Sequence, residues 1–215
     1  MATHAPARLK RAARLRGIYA ILGEEPRVVE RARAILDGGV RIVQYRAKNG
    51  IVAVTLQRLR DITRERDALL IVNDDWRAVG EFDCDGVHLG PGDDGFADVA
   101  RVRAALPERL IGLSCGTLAE VRRANAGDAD YIGAGSVYAT QSKSDAGEPI
   151  GIDGLRRLAG AAAPPVAAIG GIYLARLAAV RATGVAMAAL ISALANADAP
   201  ERAARELVAR WDGGA

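Results

Sequence analysis

Residues 41–72 read RIVQYRAKNGIVAVTLQRLRDITRERDALLIV, and they contain one complete strand–helix–strand unit. The apolar, β-branched runs at Arg41–Arg46 and Leu69–Val72 are typical of buried strands. Between them, apolar residues such as Leu56 and Leu59 recur every three or four positions, which is the spacing of a helix with one buried face. The stretch therefore predicts two parallel strands joined by a helix.

The same pattern repeats along the chain. Each further strand candidate is bounded by turn residues and alternates with a helical stretch of the same periodicity. Several of these stretches end in glycine, which commonly terminates helices. The six further strands are predicted at Gly17–Leu22, Gly86–Leu89, Leu110–Ser114, Tyr131–Val137, Val166–Ile169 and Val185–Ile191.

Eight such units in 215 residues favour one closed barrel. A (β/α)8 barrel typically needs about 200–250 residues, and the short repeat leaves no length for a second domain. The alternative is an open doubly wound sheet, but no G-x-G-x-x-G turn follows the early strands. We therefore predict an α/β fold in which residues 17–215 form a single (β/α)8 TIM barrel. A basic extension, residues 1–16, precedes it and is predicted to be helical.

Composition excludes several classes of protein. Half of the residues are hydrophobic, so the chain can bury a large core and is not disordered as a whole. No apolar run reaches the roughly 18 residues of a membrane span, and we expect no secretory signal. The net charge is only +3, so neither a nucleic-acid nor a membrane partner is expected. Cys84 and Cys115 are too few for a disulfide framework or a zinc site, which fits a reduced, cytoplasmic protein.

Basic and amide side chains are concentrated at the end of the second strand. Gln44, Arg46 and Lys48 alternate along the chain, so they point the same way if the strand continues. Burial of that row is costly unless it meets an anion, and the active site of a barrel lies at this end of the strands. The open alternative is that Arg46 and Lys48 have already left the strand and are solvated.

Two acidic clusters, residues 73–75 and 90–94, follow the third and fourth strands. Neighbouring strand ends lie side by side, and Mg²⁺ prefers one or two carboxylates together with phosphate oxygens. The clusters are equally compatible with helix N-caps or turns, where aspartate is favoured. Combined with the basic row, they favour Mg²⁺ bound together with a diphosphate.

The later strands predict a second anion site. Strand seven ends in Gly170-Gly171 and strand eight in Ile191-Ser192, and barrels often bind phosphate on backbone N–H groups of these loops. His88 lies within strand four and is more typical of a packed residue than of a base. Neither cysteine has a partner that would mark a nucleophile.

Seven motifs occur in a fixed order from about residue 18 to residue 211: VQYRAK (43–48), VNDDW (72–76), CDGVHLGPGDD (84–94), IGLS (111–114), DYIGAGSVYATQSK (130–143), AIGGI (168–172) and ISAL-x4-AP (191–200). The ordered set resembles the thiamine phosphate synthase family. The resemblance implies a transferase that couples 4-amino-2-methyl-5-hydroxymethylpyrimidine diphosphate with hydroxyethylthiazole phosphate. The products would be thiamine phosphate and pyrophosphate, formed by a Mg²⁺-assisted dissociative substitution.

The resemblance also implies roles for individual residues. Asp74 and Asp93 would bind Mg²⁺, the one cofactor implied. The pyrimidine diphosphate would be contacted by Gln44, Tyr45, Arg46, Ala47, Lys48, Asn73, Ser114 and Lys143. Arg46, Lys48 and Lys143 would be catalytic by stabilising the leaving pyrophosphate. The thiazole phosphate would be held by Thr140, Gln141, Ser142, Gly171, Ile191 and Ser192.

Alternative functions stay open. Thiazole tautomerases resemble the chain throughout, but the comparison implies a histidine in them where this chain has Gly116, and they tend to lack the Asn73-Asp74 pair. A degenerate barrel that only binds a thiamine precursor would have lost one anion site, and both are present. The basic stretch 8–16 is compatible with RNA binding, but a solvated helix under the barrel is the simpler explanation. A homodimer is one possible oligomeric state.

Overall fold

The computed structural model describes residues 5–140 and 148–213, and in this part of the chain eight parallel strands form a closed barrel. The strands succeed one another in chain order, and the eighth pairs with the first. They are β1 Gly17–Gly23, β2 Ile42–Arg46, β3 Leu69–Asn73, β4 Gly86–Leu89, β5 Leu110–Cys115, β6 Tyr131–Ala134, β7 Val166–Ile169 and β8 Met187–Leu190. The predicted (β/α)8 barrel is confirmed, and the doubly wound alternative is excluded.

Helices cover the outside of the barrel because each has one apolar face. In the helix that follows β2, Leu56, Leu59 and Ile62 are buried at the predicted spacing. No helix in residues 5–140 and 148–213 is long and apolar enough to span a membrane. The helices are α1 Ala5–Ala12, α2 Val28–Asp37, α3 Ala53–Glu65, α4 Trp76–Glu81, α5 Val99–Ala105, α6 Leu118–Ala126, α7 Gly151–Ala161, α8 Leu177–Arg181, α9 Ser192–Ala195 and α10 Pro200–Asp212.

Two strands, β6 and β8, are shorter than predicted by more than one residue. The apolar run from Tyr131 extends to Val137, but β6 ends at Ala134, and β8 does not begin until Met187. Val137 and Val185 lie outside the strands and are nevertheless buried. Hydrophobicity reports burial rather than strand pairing, so the apolar pattern alone does not mark where these strands end.

The interior of the barrel is filled by a small set of large side chains. Alternation along the strands directs Tyr19 inward and Leu22 outward, into the layer between the sheet and the helices. Tyr131 fills the barrel opposite Gly112, where a Cβ atom would overlap the tyrosine ring. A glycine on β5 is therefore what allows a full aromatic ring inside so narrow a barrel.

Helix α1 lies across the amino ends of the strands, at the end of the barrel opposite their carboxyl ends. Arg8 donates to the carboxylates of Asp128 and Asp130, both at 2.6 Å. Arg11 donates to Asp85 at 3.1 Å. The carboxylates of Asp85 and Asp130 also accept backbone N–H groups of β3 and β5. Salt bridges thus fasten the basic extension to the bottom of the barrel.

Candidate active site

A cavity of about 390 Å³ opens at the carboxyl ends of the strands. That position is where barrels carry their active sites. It is lined by residues from strands or loops on every side of the barrel, so side chains far apart in the sequence converge on one space. Six residues that the sequence assigned to substrate lie in this lining: Gln44, Arg46, Asn73, Ser114, Thr140 and Ile191.

The structure separates the residues of the run 44–48. Gln44 and Arg46 face the cavity, whereas Tyr45 is fully buried among the apolar residues outside the barrel. Ala47 packs against the same outer layer. Alternation along β2 turns the side chain of Tyr45 away from the cavity, and neither Tyr45 nor Ala47 is among the residues that line it.

Lys48 lies beyond the end of β2 and is exposed to solvent. The alternative in which this lysine has already left the strand therefore describes the structure, while Arg46 remains at the strand end. Gly171 and Ser192 directly follow the lining residues Gly170 and Ile191. The remaining predicted contacts, Gln141, Ser142 and Lys143, lie outside the described residues.

A connected line of polar side chains crosses the floor of the cavity. The amide nitrogen of Gln44 donates to the hydroxyl of Tyr19 at 2.7 Å, and that hydroxyl lies 3.0 Å from the hydroxyl of Tyr131. The Tyr131 hydroxyl is 3.2 Å from Nδ1 of His88. Nε2 of His88 is in turn 3.1 Å from Oγ of Ser114. We call these five residues the polar relay.

The two tyrosines of the polar relay are buried inside the barrel. Burial raises the pKa of Tyr19 and Tyr131 well above the usual value for a phenol, so both keep their protons. Sequence reasoning did not find the two tyrosines, because aromatic residues within apolar strands look like ordinary core. Gly112 and Gly133 were the available signal, since each leaves room for a relay ring.

Two residues of the acidic clusters, Asp75 and Asp94, have structural roles. Asp75 is the N-cap of α4 and accepts from the backbone of Arg77 at 3.0 Å. Asp94 accepts from the indole of Trp76 and from Arg77 and Arg101. Hydrogen bonds from these two arginines, that of Arg77 first, hold the pKa of Asp94 below its usual value. The N-cap interpretation is therefore correct for Asp75 and does not extend to Asp74.

Asp74 and Asp93 follow the carboxyl ends of two neighbouring strands, β3 and β4. The backbone N–H of Asp74 donates to the carbonyl of His88 on β4 at 2.9 Å. Asp74 has φ +66°, a conformation that costs a non-glycine residue energy and often marks a functional position. Asp93 accepts the N–H of Gly90 at 2.6 Å, which fixes its carboxylate at the rim.

This donor set fits Mg²⁺ and does not fit a metal held by the protein alone. Among the described residues, no group of three or more histidine, cysteine, aspartate or glutamate side chains lies close enough to hold an ion. Two carboxylates are nevertheless the ligands that Mg²⁺ takes when a substrate phosphate completes its coordination. Asp74 and Asp93 are therefore suited to an ion that arrives with a phosphorylated ligand.

The opposite rim of the cavity is built on glycines in left-handed conformations. Gly170 has φ +103° and Gly171 has φ +62°. A Cβ atom at Gly171 would lie 2.7 Å from the carbonyl of Ala139, so a side chain there is excluded. Arg176 donates to the Gly171 carbonyl at 2.5 Å and stacks on the ring of Tyr138. The glycine turn has no side chains and is held in place by Arg176, so its backbone N–H groups suit a phosphate.

Gly116 also lies in the cavity lining. Because glycine has no side chain, position 116 cannot take up or release a proton. Its N–H donates to Glu120 at 2.8 Å, and Glu120 completes a capping box with Thr117 at the start of α6. The neighbouring Cys115 is buried, and burial raises the pKa of its thiol to about 12. Neither position supplies a base or a nucleophile at neutral pH.

Comparison with known proteins gives one consistent result. A family model described as "Thiamine monophosphate synthase" matches residues 18–194. The "Thiamine-phosphate synthase" of Archaeoglobus fulgidus is 45% identical over 182 residues, which cover 83% of this chain and 84% of that protein. The "Thiamine biosynthesis bifunctional protein ThiM/ThiE" of Symbiobacterium thermophilum is 44% identical over 178 residues; they cover 81% of this chain but only 37% of that longer protein.

A solved structure agrees with these sequence matches. The thiamine phosphate pyrophosphorylase from Pyrococcus furiosus superposes with a TM-score of 0.84 at 36% identity. The match covers 92% of this chain and 96% of that one, so it extends over the whole barrel. Motif order, closed barrel, cavity lining and both comparisons lead to the same assignment. The chain belongs to the thiamine monophosphate synthase family.

Proposed function

We propose that the chain couples 4-amino-2-methyl-5-hydroxymethylpyrimidine diphosphate with hydroxyethylthiazole phosphate, giving thiamine phosphate and pyrophosphate. The observation that carries this proposal is the cavity lining, in which Gln44, Arg46, Asn73 and Ser114 converge from three strands. Family membership supports the same reaction, because relatives matched over most of this chain carry the name of that synthase.

Each end of the cavity suits one substrate. Polar side chains on the floor suit a heteroaromatic ring, and Arg46 at the rim suits its diphosphate. Asp74 and Asp93 would hold Mg²⁺, which when bound neutralises charge on the diphosphate and orients it for departure. The glycine turn at Gly170-Gly171 suits the phosphate of the thiazole.

The reaction needs neither a nucleophile nor a base from the protein. The bond between the pyrimidine methylene carbon and the diphosphate oxygen breaks, and the electron pair leaves with pyrophosphate. The amino group of the pyrimidine donates electrons to the resulting carbocation. The lone pair of the thiazole nitrogen then forms the new C–N bond, so no proton is transferred.

The protein's contribution is therefore placement and electrostatic stabilisation. Arg46 faces the leaving group, and its guanidinium gains attraction as negative charge develops there. Asn73 and Ser114 offer hydrogen bonds that hold the ring beside the incoming nitrogen. The unpaired, buried thiols of Cys84 and Cys115 support a reducing, cytoplasmic setting for this chemistry.

One assay tests the proposal. The purified protein is mixed with both phosphorylated precursors and Mg²⁺, and thiamine phosphate and pyrophosphate are quantified. We expect the two products in equal amounts, with none when either precursor is omitted. Turnover of the pyrimidine diphosphate to the free alcohol alone, without thiamine phosphate, would contradict the coupling reaction.

A further inference from the structure

We propose that Arg176 is a positioning residue for the phosphate of the thiazole substrate. Its guanidinium holds and polarises the peptide between Gly171 and Ile172, and the N–H of that peptide binds the phosphate. The inference rests on the proposed function, in which the glycine turn Gly170-Gly171 takes this phosphate. It adds a cation that the sequence motifs do not contain, because the motif at 168–172 ends before Arg176.

Arg176 joins the loops that follow β6 and β7. It lies in a single 3₁₀ turn, Leu174–Arg176, which leads into α8. The central carbon of its guanidinium is 4.1 Å from the centroid of the Tyr138 ring, after β6, and 4.5 Å from that of the Tyr173 ring, after β7. Contacts of this kind attract a cation to the face of an aromatic ring. They therefore restrict where the N–H groups of Arg176 can point.

The hydrogen bond from Arg176 fixes the orientation of one peptide. Nη1 donates to the carbonyl oxygen of Gly171 at 2.5 Å. The peptide bond between Gly171 and Ile172 is trans, so its C=O and N–H point in opposite directions. The N–H of Ile172 is therefore directed away from the guanidinium. Arg176 does not line the cavity, whereas Gly170 does, so the guanidinium holds the glycine turn from outside the cavity.

Within the described part of the chain, two N–H groups at this turn have no partner. No hydrogen bond among residues 5–140 and 148–213 has the N–H of Gly171 or of Ile172 as its donor. Ile172 is only 5% exposed, and buried backbone N–H groups in proteins nearly always have a partner. Successive N–H groups in a turn form concavities that bind anions. The unused donors therefore indicate an anionic ligand at the turn.

The positive charge of Arg176 makes the N–H of Ile172 a stronger donor. A charged donor on the carbonyl polarises the peptide, so the N–H on its other side becomes more positive. No carboxylate of the described residues forms an ion pair with this guanidinium, so its charge is not neutralised nearby. A phosphate at the turn thereby gains attraction from the cation without contacting it.

The glycine turn, the Tyr138 ring and the guanidinium are packed closely against one another. A Cβ atom at Gly171 would lie 2.8 Å from Cβ of Tyr138 and 3.2 Å from Nη1 of Arg176. The N–H of Tyr138 donates to the carbonyl of Gly170 at 3.1 Å, and the carbonyl of Tyr138 accepts from the hydroxyl of Ser136 at 2.7 Å. The protein itself sets the orientation of the peptide, which lowers the cost of ordering it around a phosphate.

Steady-state kinetics with Mg²⁺ tests the proposal. The phosphate of the thiazole gains and loses no bond in the coupling, so its interactions are equal in the ground state and the transition state and affect KM rather than kcat. Arg176→Met removes the charge but keeps a long side chain against the two rings. We expect KM for hydroxyethylthiazole phosphate to rise about tenfold, while kcat and KM for the pyrimidine diphosphate change less than about threefold.

A substrate without the phosphate separates a role in phosphate binding from a role in the shape of the turn. Hydroxyethylthiazole offers the same ring nitrogen, so its coupling also releases pyrophosphate. In Arg176→Met, kcat/KM should fall about tenfold for the phosphate and stay unchanged for the alcohol. Arg176→Lys, which keeps a charge and a donor, should recover most of the loss.

Arg41→Met is the matched control. Arg41 also donates to backbone carbonyls, those of Leu36 and Val40, both at 2.8 Å, but it directly precedes β2 at the amino end of the barrel. This variant should leave all kinetic constants unchanged. A KM for thiazole phosphate that is unchanged in Arg176→Met, or that rises equally in Arg41→Met, overturns the proposal. An equal fall in kcat/KM for the phosphate and the alcohol does so too.

Amide NMR of protein with nitrogen-labelled isoleucine observes Ile172 directly, and Ile172→Val identifies its signal. Saturation with hydroxyethylthiazole phosphate, without the pyrimidine substrate, should move the amide proton of Ile172 downfield in the native protein and far less in Arg176→Met. An Ile172 signal that does not respond in the native protein overturns the proposal. A response without any coupling activity would reject the proposed function and leave this inference standing.

Discussion

Asp74 donates its backbone N–H to the carbonyl oxygen of His88 at 2.9 Å, so a residue suited to Mg²⁺ and a member of the polar relay share one hydrogen bond. The bond joins the end of β3 to β4 and sets the left-handed conformation of Asp74 at the cavity rim. The rim at Asp74 and the polar relay are thereby held relative to each other by backbone rather than by flexible side chains.

Asp74→Asn should lower turnover by about a hundredfold or more while the fold remains intact, because one charge is lost where Mg²⁺ would bind. Asp75→Asn is the matched control, since asparagine also caps helices and Asp75 serves α4. Pyrophosphate release measures the rate, and circular dichroism checks the fold. Full activity of Asp74→Asn in the presence of EDTA would refute the metal assignment.

The protein should not isomerise the thiazole tautomer at a rate comparable to coupling, because Gly116 cannot carry a proton. Proton NMR of the thiazole in deuterated buffer, without the pyrimidine substrate, measures this directly. A Cβ atom at Gly116 meets nothing closer than 3.5 Å, so Gly116→Ala is a well-folded comparison. Rapid isomerisation by the native protein would show that the distinction from the tautomerases is wrong.

Both cysteines should be inert toward thiol reagents at pH 8 in the folded protein. Burial raises the pKa of Cys84 and of Cys115 to about 12, so the reactive thiolate is scarce at that pH. A colorimetric disulfide reagent should detect no thiol before denaturation and two afterwards. Fast labelling of Cys115, which borders the cavity, would mean that the thiol is exposed or activated.

An electron-withdrawing substituent on the pyrimidine ring should slow the chemical step by orders of magnitude and change substrate binding little. The reason is that the carbocation, and not the bound ground state, needs electrons from the ring. Single-turnover experiments separate the chemical step from binding and release. A rate insensitive to the substituent would favour concerted displacement.

Asp130→Asn should destabilise the protein by about 3–5 kcal/mol, because Arg8 and Arg103 would lose the buried charge that they share. The side chain of Asp130 is only 4% exposed, whereas that of Asp128 is 48% exposed. Asp128→Asn should therefore cost about 1 kcal/mol or less. Urea unfolding measures the free energy of unfolding of both variants. Equal decreases would show that the buried ion pairs of Asp130 contribute no more than the exposed ones of Asp128.

The eight strands and the polar residues at their ends were predictable, because both follow from short stretches of sequence. Gln44, Arg46 and Ser114 reach the cavity simply by standing at the ends of strands in a barrel. The polar relay was not predictable, since its central contact joins Tyr19 and Tyr131, 112 residues apart. Whether a strand tyrosine meets core or a partner hydroxyl depends on the register of the closed barrel.

The roles within the acidic clusters also needed three-dimensional information. Asp74 and Asp75 are chemically identical neighbours, yet Asp75 caps α4 and the backbone N–H of Asp74 bonds to β4. Sequence alone permits both roles for both residues. The backbone conformation, which follows from where β3 ends, decides between them.

Helix α1 is translated before the barrel that it contacts, and its partner Asp130 is 122 residues later than Arg8. Translation adds about 5–20 residues per second, so the helix waits several seconds for the carboxylates that bind its arginines. During that interval more than half of the barrel emerges with its lower end uncovered. The contact between Arg8 and Asp130 therefore forms only after β1–β5 have been made, although α1 is translated before all of them.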